Sequence, residues 1–119
     1  MTIRMILERV ARVRPLAFED EVQMEWVAEL DEQLIRWAQE CFEDAPEVPE
    51  KYEEDTMLFV TPPHTRVYDL YVLAQADAMG KEDDYNNSAE LFNHALVEFK
   101  KFYNRISTRR ANKPIKNVW

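Results

Sequence analysis

The chain has 119 residues, enough for one domain built around one hydrophobic core. Hydrophobic residues make up 46% of it and charged residues 32%, which excludes both a disordered chain and a membrane bundle. No apolar run approaches the roughly 20 residues that span a bilayer, and the charged N-terminal stretch does not predict a signal peptide. The single glycine excludes a glycine-rich phosphate loop.

The charge is unevenly distributed along the chain. Residues 1–99 contain eight basic and 23 acidic residues, a net charge of −15, whereas residues 100–119 contain seven basic residues and no acid, a net charge of +7. An acidic body with a basic C-terminal tail indicates docking on an acidic partner or on a neighbouring copy. The alternative is a solvated acidic surface followed by a frayed tail.

The first two predicted helices carry clear apolar stripes. The first is short, with Thr2 as its N-cap and these residues at helical spacing: Ile3, Ile6, Leu7 and Val10. The second begins near Asp20, and its stripe covers five turns: Val22, Trp26, Val27, Leu30, Leu34, Trp37, Ala38 and Cys41. The opposite face is expected to meet water or a cationic neighbour: Glu25, Glu29, Glu32, Arg36 and Glu40.

Residues 43–63 form the one long stretch predicted to be non-helical, because prolines interrupt it and acidic residues fill it. Its apolar run at 57–60 is predicted to be extended and to cover the end of the helical core. Loops of this length in small domains are often functional. We therefore expect residues 43–61 to contact a neighbouring subunit or another partner.

Two further helices are predicted over about residues 65–79 and 81–106. Gly80 is expected to end the third helix in a left-handed cap. One side of this helix is apolar and carries Val67, Leu70, Tyr71, Ala74 and Ala78. The fourth has a seam that packs along another helix: Tyr85, Ala89, Phe92, Leu96, Phe99, Tyr103 and Ile106. The fold class is thus all-α, a small bundle of about four helices over residues 1–106, with a long Pro-rich acidic loop and an extended basic tail over 107–119.

No arrangement of residues in the sequence predicts chemistry. Glu90 and His94 share a helix face, but a single pair cannot fill a metal coordination sphere, and the one other histidine is His64. His94 is instead expected to be partly buried near the seam. Cys41 lies on an apolar stripe among acidic neighbours, so it is interpreted as a core residue. We expect no enzyme, no metal and no cofactor.

The polar start of the fourth helix is expected to have a structural role. Asn86, Asn87 and Ser88 can cap backbone groups or link to the preceding helix, and Asn93 continues this polar edge. Replacing both Asn86 and Asn87 by Ala is then expected to lower thermal stability by a few degrees, whereas a role in a subunit interface would affect assembly instead.

The order of the motifs resembles a known family. They are a T-I start, a W-x-x-E-L-D helix, a P-P turn before a Y-D-x-L-Y helix, and a Y-N-N-S helix continuing F-N-x-A. In this chain the first motif is Thr2–Ile3, and the second is Trp26 with Glu29, Leu30 and Asp31. The third is Pro62–Pro63 followed by residues 67–71. The fourth consists of Tyr85, Asn86, Asn87, Ser88, Phe92, Asn93 and Ala95. Over residues 2–105 the chain resembles the head–tail connector, or adaptor, proteins of tailed bacteriophages and prophages.

This resemblance implies a structural virion protein in the neck region, present in the host cytoplasm during assembly. Such adaptors form a ring, typically of twelve copies, beneath the portal protein, and they join the capsid to a tail-side connector or stopper protein. Phage DNA passes non-specifically through the channel, and no membrane is involved. An acidic channel wall would repel DNA and let it slide.

The resemblance also implies that a C-terminal segment reaches the portal. The residues expected to dock there are Arg109, Arg110, Lys113, Ile115, Lys116 and Trp119. The arginines near the N-terminus are expected to pair with the acidic second helix of a neighbouring copy: Arg4, Arg9, Arg12 and Arg14. Three alternatives stay open at this point. The tail folds back over its own core, the protein is a soluble cytoplasmic helical binding module or regulator, or copies of the chain assemble an enzyme site between subunits.

Overall fold

The protein consists of four helices, described by a computed structural model for residues 1–80 and 82–110, with only the backbone described at 82–84. They are α1 (Ile3–Val13), α2 (Asp20–Cys41), α3 (Arg66–Gly80) and α4 (Glu82–Ile106). Across the described residues the only strand-like pairings are two isolated bridges. The predicted all-α class and the four helices are confirmed.

The ends of α1 follow from its flanking residues. The Thr2 hydroxyl accepts a hydrogen bond from the Met5 N–H at 3.3 Å, as predicted for an N-cap. At the other end Arg14 is extended, and its N–H donates to the Val10 carbonyl at 2.8 Å. Helix α2 begins with Asp20 and Glu21 in its first turn, where the helix dipole favours negative charge.

Helix α3 is central, since it packs on each of the other three helices. It runs antiparallel to α2, because Tyr68 meets Asp31 while Tyr71, one turn further along α3, meets Glu29, which precedes Asp31. The apolar faces of α1, α2 and α3 enclose the main core, whose fully buried members include Ile3, Ile6, Val10, Val27, Val60, Val67, Tyr68 and Val72.

Helix α4 packs antiparallel along α3. The His64 ring, just before α3, lies 4.7 Å from the Phe102 ring near the end of α4. Further along α3, the Tyr71 ring lies 5.1 Å from Phe92, nearer the start of α4. The predicted seam is therefore confirmed in its middle, where Phe99 is buried.

Aromatic rings join the second half of α4 to the end of α2. Tyr103 is 5.0 Å from Phe42 and 5.2 Å from Phe59 between ring centroids, and Trp37 is 5.5 Å from Phe42 and 6.4 Å from Phe99. Most of these pairs meet edge to face, the geometry that aromatic quadrupoles favour. Cys41 is buried beside this cluster, so its assignment to the core is confirmed.

The long non-helical segment closes the core as predicted. Leu58 and Val60 are buried, and the Leu58 N–H donates to the Met1 carbonyl at 2.9 Å. An antiparallel bridge joins Thr2 to Met57. The extended run at 57–60 thus lies against the start of α1, and the peptide bond between Pro62 and Pro63 that follows it is cis.

Several local predictions were wrong. Gly80 does not take a positive φ and instead lies within α3 as its last residue. Ala78 is exposed, since the buried side of α3 at this point contains Ala76 and Asp77. His94 is exposed rather than partly buried, because it lies on the side of α4 opposite the seam.

The two ends of the seam are also exposed. Tyr85 is 41% accessible and Ile106 is 61% accessible. Helix α4 has 25 residues and α3 has 15, so α3 is too short to cover the whole seam. The ends of α4 therefore offer apolar side chains to solvent.

Candidate interaction surfaces

The buried carboxylate of Asp31 is the polar centre of the fold. It is fully inaccessible and accepts hydrogen bonds from the Tyr68 hydroxyl at 2.5 Å, the Tyr52 hydroxyl at 2.6 Å and the Phe59 N–H at 2.8 Å. The three donors come from α3 and from two points of the 43–63 segment. A buried carboxylate is tolerated when donors surround it in this way. Asp31 therefore fixes the long segment against α2 and α3.

The tyrosines of this network are held in their neutral form. Burial, followed by the charge of Asp31 and the hydrogen bond to it, raises the pKa of Tyr68 well above its ordinary value. The Tyr68 oxygen also accepts from the Val60 N–H at 2.9 Å, so one hydroxyl joins α2 to the buried extended run. Burial and the hydrogen bond to Asp31 likewise raise the pKa of Tyr52.

A second tyrosine of α3 bonds to the outer face of α2. The Tyr71 hydroxyl donates to a Glu29 carboxylate oxygen at 2.9 Å. Burial, with this hydrogen bond as the next cause, raises the pKa of Tyr71 to about 12. The acidic and tyrosine residues of two sequence motifs, W-x-x-E-L-D and Y-D-x-L-Y, are thus direct partners in space.

The third polar residue of the Y-D-x-L-Y motif binds α1. Asp69 is buried and accepts a two-pronged bond from the Arg9 guanidinium, with N–O distances of 2.6 and 2.7 Å. Arg9 also donates to the Thr65 hydroxyl at 3.2 Å. The hydrogen bond to Asp69 raises the pKa of Arg9. Paired donors in this fork geometry are among the stronger charge-assisted contacts in proteins.

A third buried carboxylate, Asp77, joins three helices. It accepts from the Arg14 guanidinium at 2.7 Å and from the Ser88 hydroxyl, which belongs to the Y-N-N-S motif of α4. Arg14 lies just after α1, so one carboxylate links α1, α3 and α4. Sequence reasoning missed all three buried aspartates. The available signal was an acidic residue at an apolar position of the helical period, as in Leu30–Asp31.

The arginines expected to serve a subunit interface are largely engaged within the chain. Arg9 and Arg14 bind the buried aspartates described above. Arg4 pairs with Asp20 at 3.2 Å and with Glu54. Arg4, Arg9 and Arg14 thus have partners within the chain, while Arg12 is exposed; the pairing with a neighbouring copy stays a prediction.

The polar edge of α4 divides into two groups. The Ser88 hydroxyl donates to Asp77, and the Phe92 ring packs at a tilt of 55° against Tyr71, so these two residues contact α3. The other four residues expected at the helix packing or subunit interface are exposed: Tyr85, Asn86, Asn87 and Asn93. Asn86 and Asn87 lie inside α4 rather than at its first residue, so they are not placed to cap it.

The first residues of the basic tail are attached to the end of α2. The Glu43 N–H donates to the Thr108 carbonyl at 2.8 Å, and the Arg110 N–H donates to the Cys41 carbonyl at 3.0 Å. The Arg110 side chain donates to the Gln39 carbonyl at 2.6 Å. The two bonds donated by Arg110 satisfy carbonyls that the end of a helix leaves open.

Two of the six residues expected to dock on the portal belong to the described part of the chain. Arg109 and Arg110 are exposed, and Arg109 donates to the Asn104 side chain at 3.3 Å. The remaining four lie outside the described residues: Lys113, Ile115, Lys116 and Trp119. The point where the chain leaves the described fold is nonetheless fixed, beside the last turn of α2.

Acidic side chains cover the outer face of α2 and the loop beside it. Exposed carboxylates in the loop are Glu43, Asp44, Glu47, Glu50, Glu53, Glu54 and Asp55. The loop runs back along α2, since the Pro46 carbonyl accepts from Gln39 at 2.8 Å while Tyr52 reaches Asp31. The predicted acidic surface is thus formed by two adjacent chain segments.

A cleft of about 210 Å³ opens on this acidic side. Its apolar lining is Ile3, Met24, Ala28 and Tyr52, and Glu21 and Glu25 stand at its rim. Among residues 1–80 and 82–110, no group of three or more histidine, cysteine or acidic side chains is placed to hold a metal ion. None of the helices in the described part of the chain is long and apolar enough to cross a bilayer.

Comparison of the chain with protein-family models, curated proteins and solved structures gives no match.

Proposed function

We propose that this protein is a head–tail connector of a tailed bacteriophage or prophage. It would form a ring beneath the portal protein, typically of twelve copies, and join the capsid to the tail-side connector or stopper. Phage DNA would pass through its channel without sequence-specific contacts. Its place would be the neck of the virion, and the host cytoplasm during assembly.

The observation that supports this proposal most is that polar residues of the different motifs form hydrogen bonds that join the helices. Glu29 and Asp31 of one motif bind Tyr71 and Tyr68 of another, and Ser88 of a third binds a carboxylate of α3. These polar residues are used to position helices rather than to line a reactive cleft. A set of buried, fully partnered polar contacts fixes one arrangement of the helices, which suits a structural subunit.

The charged surfaces support the ring and its channel. The acidic side formed by α2 and residues 43–61 is free to contact a neighbouring or tail-side partner, or to line a channel that repels DNA. A closed ring needs two different complementary faces on each subunit. Since Arg4, Arg9 and Arg14 are already paired, the exposed Lys101 and Arg105 of α4 are better placed to face a neighbour's carboxylates.

The basic segment is proposed to dock on the portal. Arg109 and Arg110 present guanidinium groups at the surface, and they are followed by Lys113, Ile115, Lys116 and Trp119. Aromatic residues are common anchors in a partner's pocket, and here basic residues accompany the aromatic one. Because the Arg110 N–H is bonded to the Cys41 carbonyl, the segment that follows Arg110 begins at a fixed point beside the end of α2.

The experiment is a co-purification with the portal protein encoded beside this chain in its source genome. Three tagged versions are compared: full length, a chain ending at Arg110, and a chain ending at Ser107. The version ending at Arg110 keeps the bonds to Cys41 and Gln39, so it removes the segment without disturbing the end of α2.

If the full-length chain retains the portal and the Arg110 version does not, the connector function and the docking segment are both supported. Retention by all three versions would support the connector and contradict the role of the segment. Capture of a cytoplasmic protein instead of the portal would favour the soluble binding module.

A further inference from the structure

The cleft beside the start of α2 has the size of a site for one large side chain. Its volume of about 210 Å³ is smaller than the roughly 300–1,000 Å³ typical of small-molecule pockets. Met24, Ala28 and Tyr52 provide its apolar walls, and Glu21 and Glu25 stand at its rim. Its chemistry therefore fits one apolar side chain that is accompanied by positive charge.

The two carboxylates at the rim are available to a partner. Arg4, at the start of α1, is bonded to Asp20 at 3.2 Å and to Glu54. Glu21 and Glu25 are exposed, and among the described residues neither forms an ion pair. The rim therefore offers two negative charges to a cation from another molecule.

The last two turns of α4 carry the matching chemistry. Ile106 is 61% accessible, because α3 is too short to cover it. Lys101 and Arg105 are exposed, and in the described part of the chain neither forms an ion pair. One turn before Ile106, the half-buried Phe102 ring lies 4.7 Å from the His64 ring and extends the apolar surface. The α4 end, defined by Lys101, Arg105 and Ile106, is thus an apolar surface with positive charge beside it.

The α4 end cannot reach the cleft of its own chain. It lies near the last turn of α2, because the Tyr103 ring is 5.0 Å from the Phe42 ring, just after α2. Met24 in the cleft precedes Cys41, the last residue of α2, by seventeen residues, which is a rise of about 26 Å along the helix. The α4 end that this cleft fits is therefore that of a second copy.

Only unlike surfaces of two copies attract each other. Two α4 ends would bring basic side chains together, and two clefts would bring glutamates together, and like charges at an interface are unfavourable. Pairing the α4 end of one copy with the cleft of the next joins opposite charges and removes an exposed isoleucine from water. Because every copy has both surfaces, the contact can be repeated from copy to copy, as a ring requires.

We propose that the α4 end of one copy binds the cleft of the next copy, with Ile106 inserted in the cleft and with Lys101 and Arg105 facing its two glutamates. The inference rests on the proposed ring and names the two faces through which its subunits meet. A contact centred on one side chain is small. We therefore expect the isolated chain to associate weakly, with a Kd of about 0.1–1 mM, and the ring to be completed on the portal.

The test measures self-association of the full-length chain by sedimentation equilibrium and by nuclear magnetic resonance with labelled methionine methyl groups. The Met24 methyl signal should shift between about 20 µM and about 2 mM, because Met24 lines the cleft. Ile106→Ala should weaken association by about tenfold. Leu91→Ala removes an apolar side chain that is 50% accessible elsewhere on α4, and it should leave association unchanged.

Charge reversal on either face tests the pairing. Glu25→Lys and Arg105→Glu should each weaken self-association by at least about tenfold, because each replaces an attraction by a repulsion. Mixing these two variants should restore association and the Met24 shift, since opposite charges then face each other at every contact between unlike copies. Glu90→Lys and Arg12→Glu make the same charge changes at exposed positions outside both faces and should leave association unchanged. Circular dichroism melting confirms that all the variants are folded.

Three results would overturn the proposal. The first is an unaltered chain that stays monomeric, with no Met24 shift, up to about 2 mM. The second is association that both charge variants retain, or that their mixture does not restore, because other faces would then be in contact. The third is a Met24 signal that responds to added portal protein and not to concentration, which would assign the cleft to the portal. Retention of the portal is measured separately, so a connector whose ring uses other faces would retain the portal and still fail this test.

Discussion

Replacing Asp31 by Ala should cost more stability than any other single carboxylate change on α2. The variant leaves the buried Tyr68 hydroxyl and the Phe59 N–H without their acceptor, while the less buried Tyr52 hydroxyl can turn to water. An orphaned buried donor costs about 1–3 kcal/mol, so two of them cost about 4 kcal/mol. For a chain of this size that corresponds to a fall in Tm of about 15 °C.

A conservative variant and a neighbour refine this test. Asp31→Asn keeps the volume and one carbonyl oxygen but turns an amide N–H towards a donor, so it should lose about half as much, about 2 kcal/mol. Glu32→Ala removes the adjacent carboxylate, whose partner is Arg36 four residues on, and should lose less than about 0.5 kcal/mol.

The assay is urea unfolding followed by circular dichroism, together with hydrogen exchange of the Phe59 amide. Exchange at Phe59 should accelerate in Asp31→Ala by at least the factor that the global loss of stability predicts, since its acceptor is gone. The reasoning would be refuted if Asp31→Ala lost less than about 1 kcal/mol. It would also be refuted if Glu32→Ala were equally damaging.

The remaining predictions concern other polar contacts. Ser88→Ala should lose about 1 kcal/mol in urea unfolding because it removes a hydrogen bond to a buried carboxylate, whereas the exposed Asn87→Ala should stay within about 0.5 kcal/mol; equal losses would contradict this assignment. Arg9→Met should lose about 3 kcal/mol by leaving a buried carboxylate unpaired, and Arg12→Met, at an exposed position, serves as its control. Since the pKa of Tyr71 is raised to about 12, its hydroxyl stabilises the fold fully below about pH 10 and loses this effect as the pH rises through 12. The native chain should therefore lose more urea resistance than Tyr71→Phe between about pH 8 and about pH 11, and equal losses would show that this hydroxyl is not involved.

Much of the fold could be predicted from local patterns. Apolar residues at helical spacing located α1 and α2, and Thr2 marked the first helix start because a side-chain acceptor satisfies an N–H that the helix leaves open. The alternation of three- and four-residue steps identified the seam of α4, and Phe92 and Phe99 do pack as expected. The prolines in 43–63 correctly excluded a helix there.

The buried polar contacts could not be predicted in the same way. From the sequence alone, an exposed position is favoured for Asp31, Asp69 and Asp77, because the burial of a carboxylate without partners is costly in free energy. They become favourable only when Tyr68, Arg9 and other donors converge on them from distant parts of the chain. That convergence depends on how α1 and α3 cross, which no local pattern contains.

By itself, the sequence determined the all-α class, the four helices, the acidic outer face of α2 and the basic character of the last twenty residues, because periodicity, prolines and charge are local properties. The tertiary structure decided which charges are available to a partner. It placed Arg4, Arg9 and Arg14 in contacts within the chain, and it fixed the start of the basic segment at Arg110 beside the end of α2. The physical reason is that a charge becomes available or unavailable through its neighbours in space, and these are known only once the helices have packed.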